Sequence, residues 1–282
     1  MSAIKELLKD IDNLKPIPAI VNQIMAVAEK PDSSMAEIAD IILYDPAMTA
    51  NILKMCNSAY YSLPRKIDSV QDAITMIGMD QIIDMVLLKS GAENMVDSQE
   101  GYGLHEGELW KQAVASALIA KSLAEKKGSE HKQMIFTAAL LKDIGKIILD
   151  RFVTDKYEKI DDLVTNQGFS FREAEKKVIG ADHAEIGGII AKMWGFSPQM
   201  VFMIRHHHLE DKSARDNLET QILYVADNIC MMMGIGVGTD GLAYRFHKDV
   251  LKNLGISAVD LQIIIASFSE EMQKVEDLIQ AI

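Results

Sequence analysis

Apolar residues recur along this chain at intervals of three and four, the spacing that gathers them on one face of a helix. No stretch of any length alternates with the two-residue period of a strand. Residues 4–14 read as a short amphipathic helix stopped by Pro16 and Pro18. Ile20, Ile24 and Val27 mark the inner face of a helix over 19–28, and Pro31-Asp32-Ser33-Ser34 breaks the chain again. Ser34 stands three residues before Glu37, a capping-box spacing that opens a helix over 35–43. Asp45 as N-cap and Pro46 as the first helical residue open the next, over 47–56, with Met48, Ile52, Leu53 and Met55 turned inward. A helix over 69–77 stops at Gly78, and another over 79–90 is almost wholly apolar from Ile82 to Leu88.

Gly91, Gly101, Gly103 and Gly107 lie among polar residues of weak periodicity, which puts a boundary over 92–108. An Ala-rich helix is expected over 109–126, then a buried helix over 135–152 that breaks at a glycine, then a polar helix over 155–166. Residues 171–179 end at Gly180, Asp182 and Glu185 repeat the capping spacing before 184–193, and Ser197-Pro198 opens a helix ending in His206-His207-His208. Helices over 219–233, 244–254 and 258–280 close the chain. With no internal repeat of 20–50 residues, the expectation is an all-α protein with a first lobe over 1–100 and a second over 101–282.

Of 282 residues, 49% are hydrophobic and 25% charged, enough for a globular protein with a sizeable core. Aromatics are only 6% but methionines number 17, so core filling leans on flexible aliphatic chains. A formal net charge of −12 repels phosphate backbones and anionic lipid surfaces, so no nucleic-acid partner and no membrane are expected. Acids in the first turns argue against a signal peptide, and no window reaches the roughly 18–20 apolar residues of a membrane span, so a cytoplasmic location is expected. Cys56 and Cys230 lack CxxC spacing and read as reduced core residues.

Candidate chemistry centres on AALLKDIGKIIL, residues 138–149, where Asp143 stands inside an apolar run. An unpaired buried carboxylate costs several kcal/mol or becomes protonated, so Asp143 needs Lys142, Lys146, a helix terminus or a metal. The stretch resembles the signature of the HD superfamily of metal-dependent phosphohydrolases, in which a His-Asp pair before Ile-Gly-Lys holds the metal. Here the histidine position is Lys142. The same resemblance puts a first ligand position at Gln112, further histidines at His183, His207 and His208, and a last carboxylate at Asp227. Imidazole and carboxylate ligands suit divalent or ferrous ions and leave positions for water and substrate. A protonated lysine has no lone pair to offer, and Gln112 offers only an amide oxygen. No metal or cofactor is therefore expected, and Asp143, His183, His207, His208 and Asp227 are read as a degenerate site. A divalent metal on those five residues is the alternative.

The first lobe carries the more specific resemblance. PIPAIVNQIM, ILYDPAMTANILKMCNSAYY and SVQDAITMIGMDQI, in that order over about 14–88, are similar to the N-terminal half of the HDOD (HD-related output domain) family. Over about 14–282 this resemblance implies a two-lobed helical unit, an N-terminal lobe on a degenerate HD-like lobe. It implies a noncatalytic bacterial signalling module that binds a protein partner or small ligand. Asp45, Asn57 and Ser58 read as caps and helix stops, or as the lining of a groove between lobes. The alternative function is a metal-dependent phosphohydrolase acting on a nucleotide or other phosphate ester. A third reading is nucleotide binding without hydrolysis, with Lys142 as counter-charge. Met-rich helix faces leave a homodimer open.

Other motifs carry less. Consecutive residues of a helical His206-His207-His208 would point about 100° apart, so only one or two share a site. His105, His131 and His247 have no partnered spacing, and Gly234-Ile-Gly-Val-Gly lacks the strand and the Lys-Ser/Thr ending of a phosphate loop. No Gly-Tyr-Pro follows His208, where HLEDKSARDN stands instead, which argues against a cyclic-dinucleotide phosphodiesterase of the Gly-Tyr-Pro subclass.

Overall fold

A computed structural model describes the chain except residues 1–6, 8, 12–13, 16–17, 29–33 and 244–246. The described residues are helical, as the periodicity predicts, with an isolated antiparallel bridge between Gln99 and Leu104 as their one strand-like feature. Most of the segment expected over 4–14, the break at Pro31-Asp32-Ser33 and the start of the helix expected over 244–254 lie outside the described residues. Two compact units divide the chain: Pro16–Glu93 with Ala266–Ile282, and Met1–Lys15 with Asn94–Ile265.

In the first of these units, α1 (Ala19–Ala28), α2 (Met35–Leu43), α3 (Pro46–Cys56) and α4 (Val70–Ile77) pack in sequence order, with α2 against α4 as well. The local signals act as expected. Ser34 and Glu37 form a reciprocal capping box, and the Asp45 carboxylate accepts from Met48 N at 2.9 Å with Pro46 opening α3. Ile24, Ile38, Ile42, Ile52, Met55 and Cys56 are buried between these helices. The next helix, α5, runs over Met79–Met95 rather than stopping at residue 90. Gly91 is tolerated there because Leu88, Ala92 and Met95 keep the buried face continuous past it.

The second unit holds α6 (Glu108–Lys126), α7 (Lys132–Leu141), α8 (Gly145–Asp155), α9 (Tyr157–Thr165), α10 (Phe171–Ile179), α11 (His183–Met193), α12 (Pro198–Arg205), α13 (Lys212–Arg215), α14 (Leu218–Met232) and α15 (Lys248–Asn253). A last helix, α16, covers Ala258–Ala281. Helix α6 packs on α7 and α14, α11 packs on α8 and α12, and a short 3-10 turn, Glu100–Tyr102, packs on α8. The Ala-rich face of α6 is what allows its close approach: Ala113, Ala117, Ala120 and Ala124 are all buried. The stretch expected as one broken helix is two, because α7 ends at Leu141 and Lys142-Asp143-Ile144 form a turn before Gly145 starts α8.

Candidate functional site

That turn points Lys142 and Asp143 into the second unit's core, and glycines determine what meets them. A side chain at Gly145 would overlap the His183 carbonyl and come within 2.9 Å of Gly187 N, so glycine is what lets α8 lie on the start of α11. At Gly188 an added Cβ would come 2.8 Å from Arg205 Cβ, so α12 also approaches closely. His183 opens α11 behind the Asp182 N-cap, whose carboxylate accepts from Glu185 N at 2.8 Å. His206-His207-His208 do not extend α12 as expected. They form the turn that follows it, and Leu209, buried with φ of 57°, reverses the backbone. Freed from helical geometry, His207 and His208 both face His183, with ring centroids 5.6 and 4.9 Å away, while His206 stacks on Phe202 at 4.6 Å.

Sequence adjacency does not require Lys142 and Asp143 to face each other, but they do. The Lys142 ammonium bonds the Asp143 carboxylate and stands 2.7 Å from Asp227 Oδ1 on α14. Gln112 on α6 approaches the same Asp227 oxygen at 3.5 Å. On the far side, Lys146 Nζ is 3.1 Å from Asp143 Oδ1 and 2.7 Å from Asp240 Oδ2. All five charged groups are buried. Burial by itself lowers a lysine and raises an aspartate; here the carboxylates overcome it and hold both Lys142 and Lys146 above the ordinary ammonium value. The same ammoniums outweigh burial at Asp143 and keep it well below the usual carboxylate range.

The histidines form the other half. His183 Nδ1 lies 2.7 Å from Glu175 Oε2, and its Nε2 lies 2.8 Å from His208 Nε2 and 3.7 Å from Asp143 Oδ1. Glu175 is in turn bonded by the buried Tyr102 hydroxyl. His207 Nδ1 donates to Ile204 O at 2.8 Å, which leaves a buried Nε2 with no hydrogen-bond partner, 4.0 Å from Asp143 Oδ1. Burial lowers His183, but Glu175 more than offsets it and its pKa is raised. Burial and neighbouring imidazoles push His208 well down, and burial takes His207 to about 3.

The structure thus brings together Gln112, Lys142, Asp143, His183, His207, His208 and Asp227. Asp45, Asn57 and Ser58 belong to the other unit and have local backbone partners. Asn57 donates to Leu53 O and Ile67 O and accepts from Ile67 N at 2.9 Å, and Ser58 donates to Met55 O. Sequence reading missed Tyr102, Glu175 and Asp240. Glu175 carried a signal, a carboxylate four residues from both Phe171 and Ile179 on the apolar face of α10. Two glycines after α14 serve packing: a Cβ at Gly236 would come 2.6 Å from Gln112 Cβ, and one at Gly238 would overlap the Tyr102 carbonyl. Beside His208 a pocket of about 240 Å³ opens, lined also by Arg172, Lys176, Arg205 and Glu210.

Described elements that are helical throughout, with a buried histidine–carboxylate cluster, define the class. The HDOD domain family model matches residues 14–210, and the chain belongs to this family. It is similar to an uncharacterized protein of Treponema pallidum (strain Nichols), 23% identical over 201 residues that cover 70% of this chain. The chain spans only 38% of that relative's length. Among solved structures it is similar to an HDOD domain protein of unknown function from Geobacter sulfurreducens, with a TM-score of 0.76 and 24% identity over 100% of this chain and 97% of that one. A Marinobacter aquaeolei VT8 protein whose name assigns it to signal transduction gives a TM-score of 0.77 and 17% identity, over 99% of this chain and 65% of that one. These likenesses establish a shared fold. No described helix is long and apolar enough to cross a membrane.

Proposed function

We propose that this chain is a noncatalytic signal-transduction module that acts by binding a protein partner or a small ligand. The observation that carries this reading is the Lys142 ammonium between Asp143 and Asp227. The HD resemblance implies a metal at those two carboxylates, and the donor set there does not fit one: a chain-borne cation already satisfies both, and Gln112 replaces an imidazole. Lys142 is also fully buried and committed to two carboxylates, which disfavours the reading of it as a phosphate counter-charge. Membership of the HDOD family supports the same view.

A metal-dependent phosphohydrolase is the second reading, favoured by the three clustered histidines. Hydrolysis of p-nitrophenyl phosphate, bis-p-nitrophenyl phosphate and cyclic dinucleotides with Mn²⁺, Fe²⁺ or Mg²⁺ separates the two. Wild-type protein is expected to match an Asp143→Ala variant at background. Turnover that needs both the metal and Asp143 would refute the binding reading.

A further inference from the structure

We propose that the groove between α9 and α10 docks an acidic, carboxylate-rich segment of a protein partner through Lys156, Lys159 and Lys177. These lysines line an open cavity of about 790 Å³, with Leu163 and Val178 as its apolar floor. That volume falls in the range of binding clefts and far exceeds what a single anion fills. This assignment rests on the binding reading above and gives its protein partner a chemistry.

Among the described residues none of the three ammoniums is ion-paired, unlike their neighbours on α10. Lys176 pairs with Glu185 at 2.7 Å, and Arg172 with Asp182 at 2.6 Å. Two of the three are nevertheless held in place. Lys177 Nζ lies 4.2 Å from the centre of the Phe169 ring, and Lys156 Nζ lies 3.5 Å from the Val178 carbonyl in the last turn of α10. A ring face and a helix C-terminus both attract a cation without cancelling its charge. Of the two carboxylates on the groove, Asp162 is already engaged, accepting from Asn166 Nδ2 at 2.8 Å and Gln167 Nε2 at 2.9 Å. Glu158 is the other, so three lysines face two acids on a chain whose net charge is −12. Repulsion from the chain as a whole disfavours an extended polyanion such as nucleic acid or a lipid surface. A short acidic segment meets only the local field of the groove. Ammoniums already held in position lower the ordering cost of receiving it, and an apolar side chain between its carboxylates rests on Leu163 and Val178.

The test is fluorescence anisotropy of the labelled peptide Glu-Asp-Glu-Leu-Glu-Asp-Glu titrated with the intact chain. Saturable binding is expected, weakening as salt rises from about 50 to 300 mM. Lys159→Glu with Lys177→Glu should weaken it by more than about 10-fold, because two attractions become repulsions. Both lysines are exposed, so the fold should survive, as circular dichroism checks. Lys126→Glu with Lys127→Glu makes the same change of charge at the C-terminus of α6 and should alter binding by less than about 2-fold. The groove is overturned as the docking site if wild type shows no saturable binding, or if the Gln-Asn-Gln-Leu-Gln-Asn-Gln peptide binds equally well. It is equally overturned if the Lys126 and Lys127 reversal costs as much as the groove reversal. Tighter binding of single-stranded DNA or phosphatidylserine vesicles through the same lysines overturns the acidic segment as the occupant. Loss of peptide binding without any phosphate-ester turnover refutes the groove and leaves the noncatalytic reading standing. Metal-dependent turnover that needs Asp143 refutes that reading, whatever the peptide does.

Discussion

Lys142 Nζ lies 2.7 Å from Asp227 Oδ1 while it also bonds its neighbour Asp143, so a single ammonium closes a carboxylate pair from two separate parts of the chain. A mobile cation in this position would have to be captured from solution and could exchange. A lysine cannot leave, and its presence ties the turn after α7 to α14.

Lys142→Met should therefore be strongly destabilising. Removing one partner of a buried ion network typically costs about 3–5 kcal/mol, because charge is left buried without compensation. Lys142→Met with Asp227→Leu should recover most of the loss, since replacing both partners with apolar groups is often neutral. Urea unfolding of the two single variants and the double gives the coupling directly. A Lys142→Met loss under about 1 kcal/mol would mean that the ammonium stabilises little.

Gly145→Ala should also be damaging, without touching any charge. The added methyl overlaps the His183 carbonyl, which is backbone at the first residue of α11 and cannot swing aside. Overpacking of this kind costs about 1–3 kcal/mol, and here the strain also moves His183 away from Asp143. Thermal unfolding should show the loss, and the His183 ring resonances in the NMR spectrum should shift. An unchanged melting temperature would show that α8 and α11 can separate freely.

Much of this architecture was legible because its signals are local. Ser34–Glu37, Asp45–Pro46 and Asp182–Glu185 each mark a cap within one turn, and the capped helices start where those residues stand. Gln112, Lys142, Asp143, His183, His207, His208 and Asp227 could be singled out by resemblance. What joins them could not. Asp240 meets Lys146, and Tyr102 meets Glu175, only through the folded chain, and Tyr102 sits in a glycine-rich stretch that reads as a linker. The histidine triplet misleads for a different reason: a left-handed Leu209, which no propensity signals, ends the helix early.

Acid should destabilise the chelator-treated protein well above the range of ordinary carboxylates. Burial holds His207 at about 3 in the fold, against 6.5 as the ordinary value. Between those values the unfolded chain binds a proton that the folded chain refuses, so this part of the stability is complete above about pH 6.5 and is lost as pH falls toward 3. The slope is up to about 1.4 kcal/mol per pH unit for one such group. His208, also depressed, adds to it, and Asp143 adds a further loss below about 3.8. His183 acts oppositely: with its value raised, its contribution is full below 6.5 and fades as pH climbs through the folded value. Urea midpoints at pH 7.5 and 5 should fall for wild type and fall distinctly less for His207→Gln. Equal slopes would show that His207 is not held neutral by the fold.

Gln112→His with Lys142→His should give the chain a metal that the wild type does not hold at this position. Gln112 already sits 3.5 Å from Asp227 on one side, and Lys142 spans Asp143 and Asp227 on the other. The double substitution supplies two imidazoles and removes the competing ammonium, which leaves two carboxylates and two histidines for a divalent ion. The positive charge lost with Lys142 is then restored only when metal binds, so folding should become metal-dependent as well. Elemental analysis should find one more ion per chain than in wild-type protein prepared identically. Thermal unfolding of the double variant should shift upward on adding Zn²⁺ or Mn²⁺ by clearly more than that of wild type. No gain in metal would mean that the surrounding core has closed around Lys142 too tightly for an ion to enter, and that the loss of this site is irreversible by side-chain exchange alone.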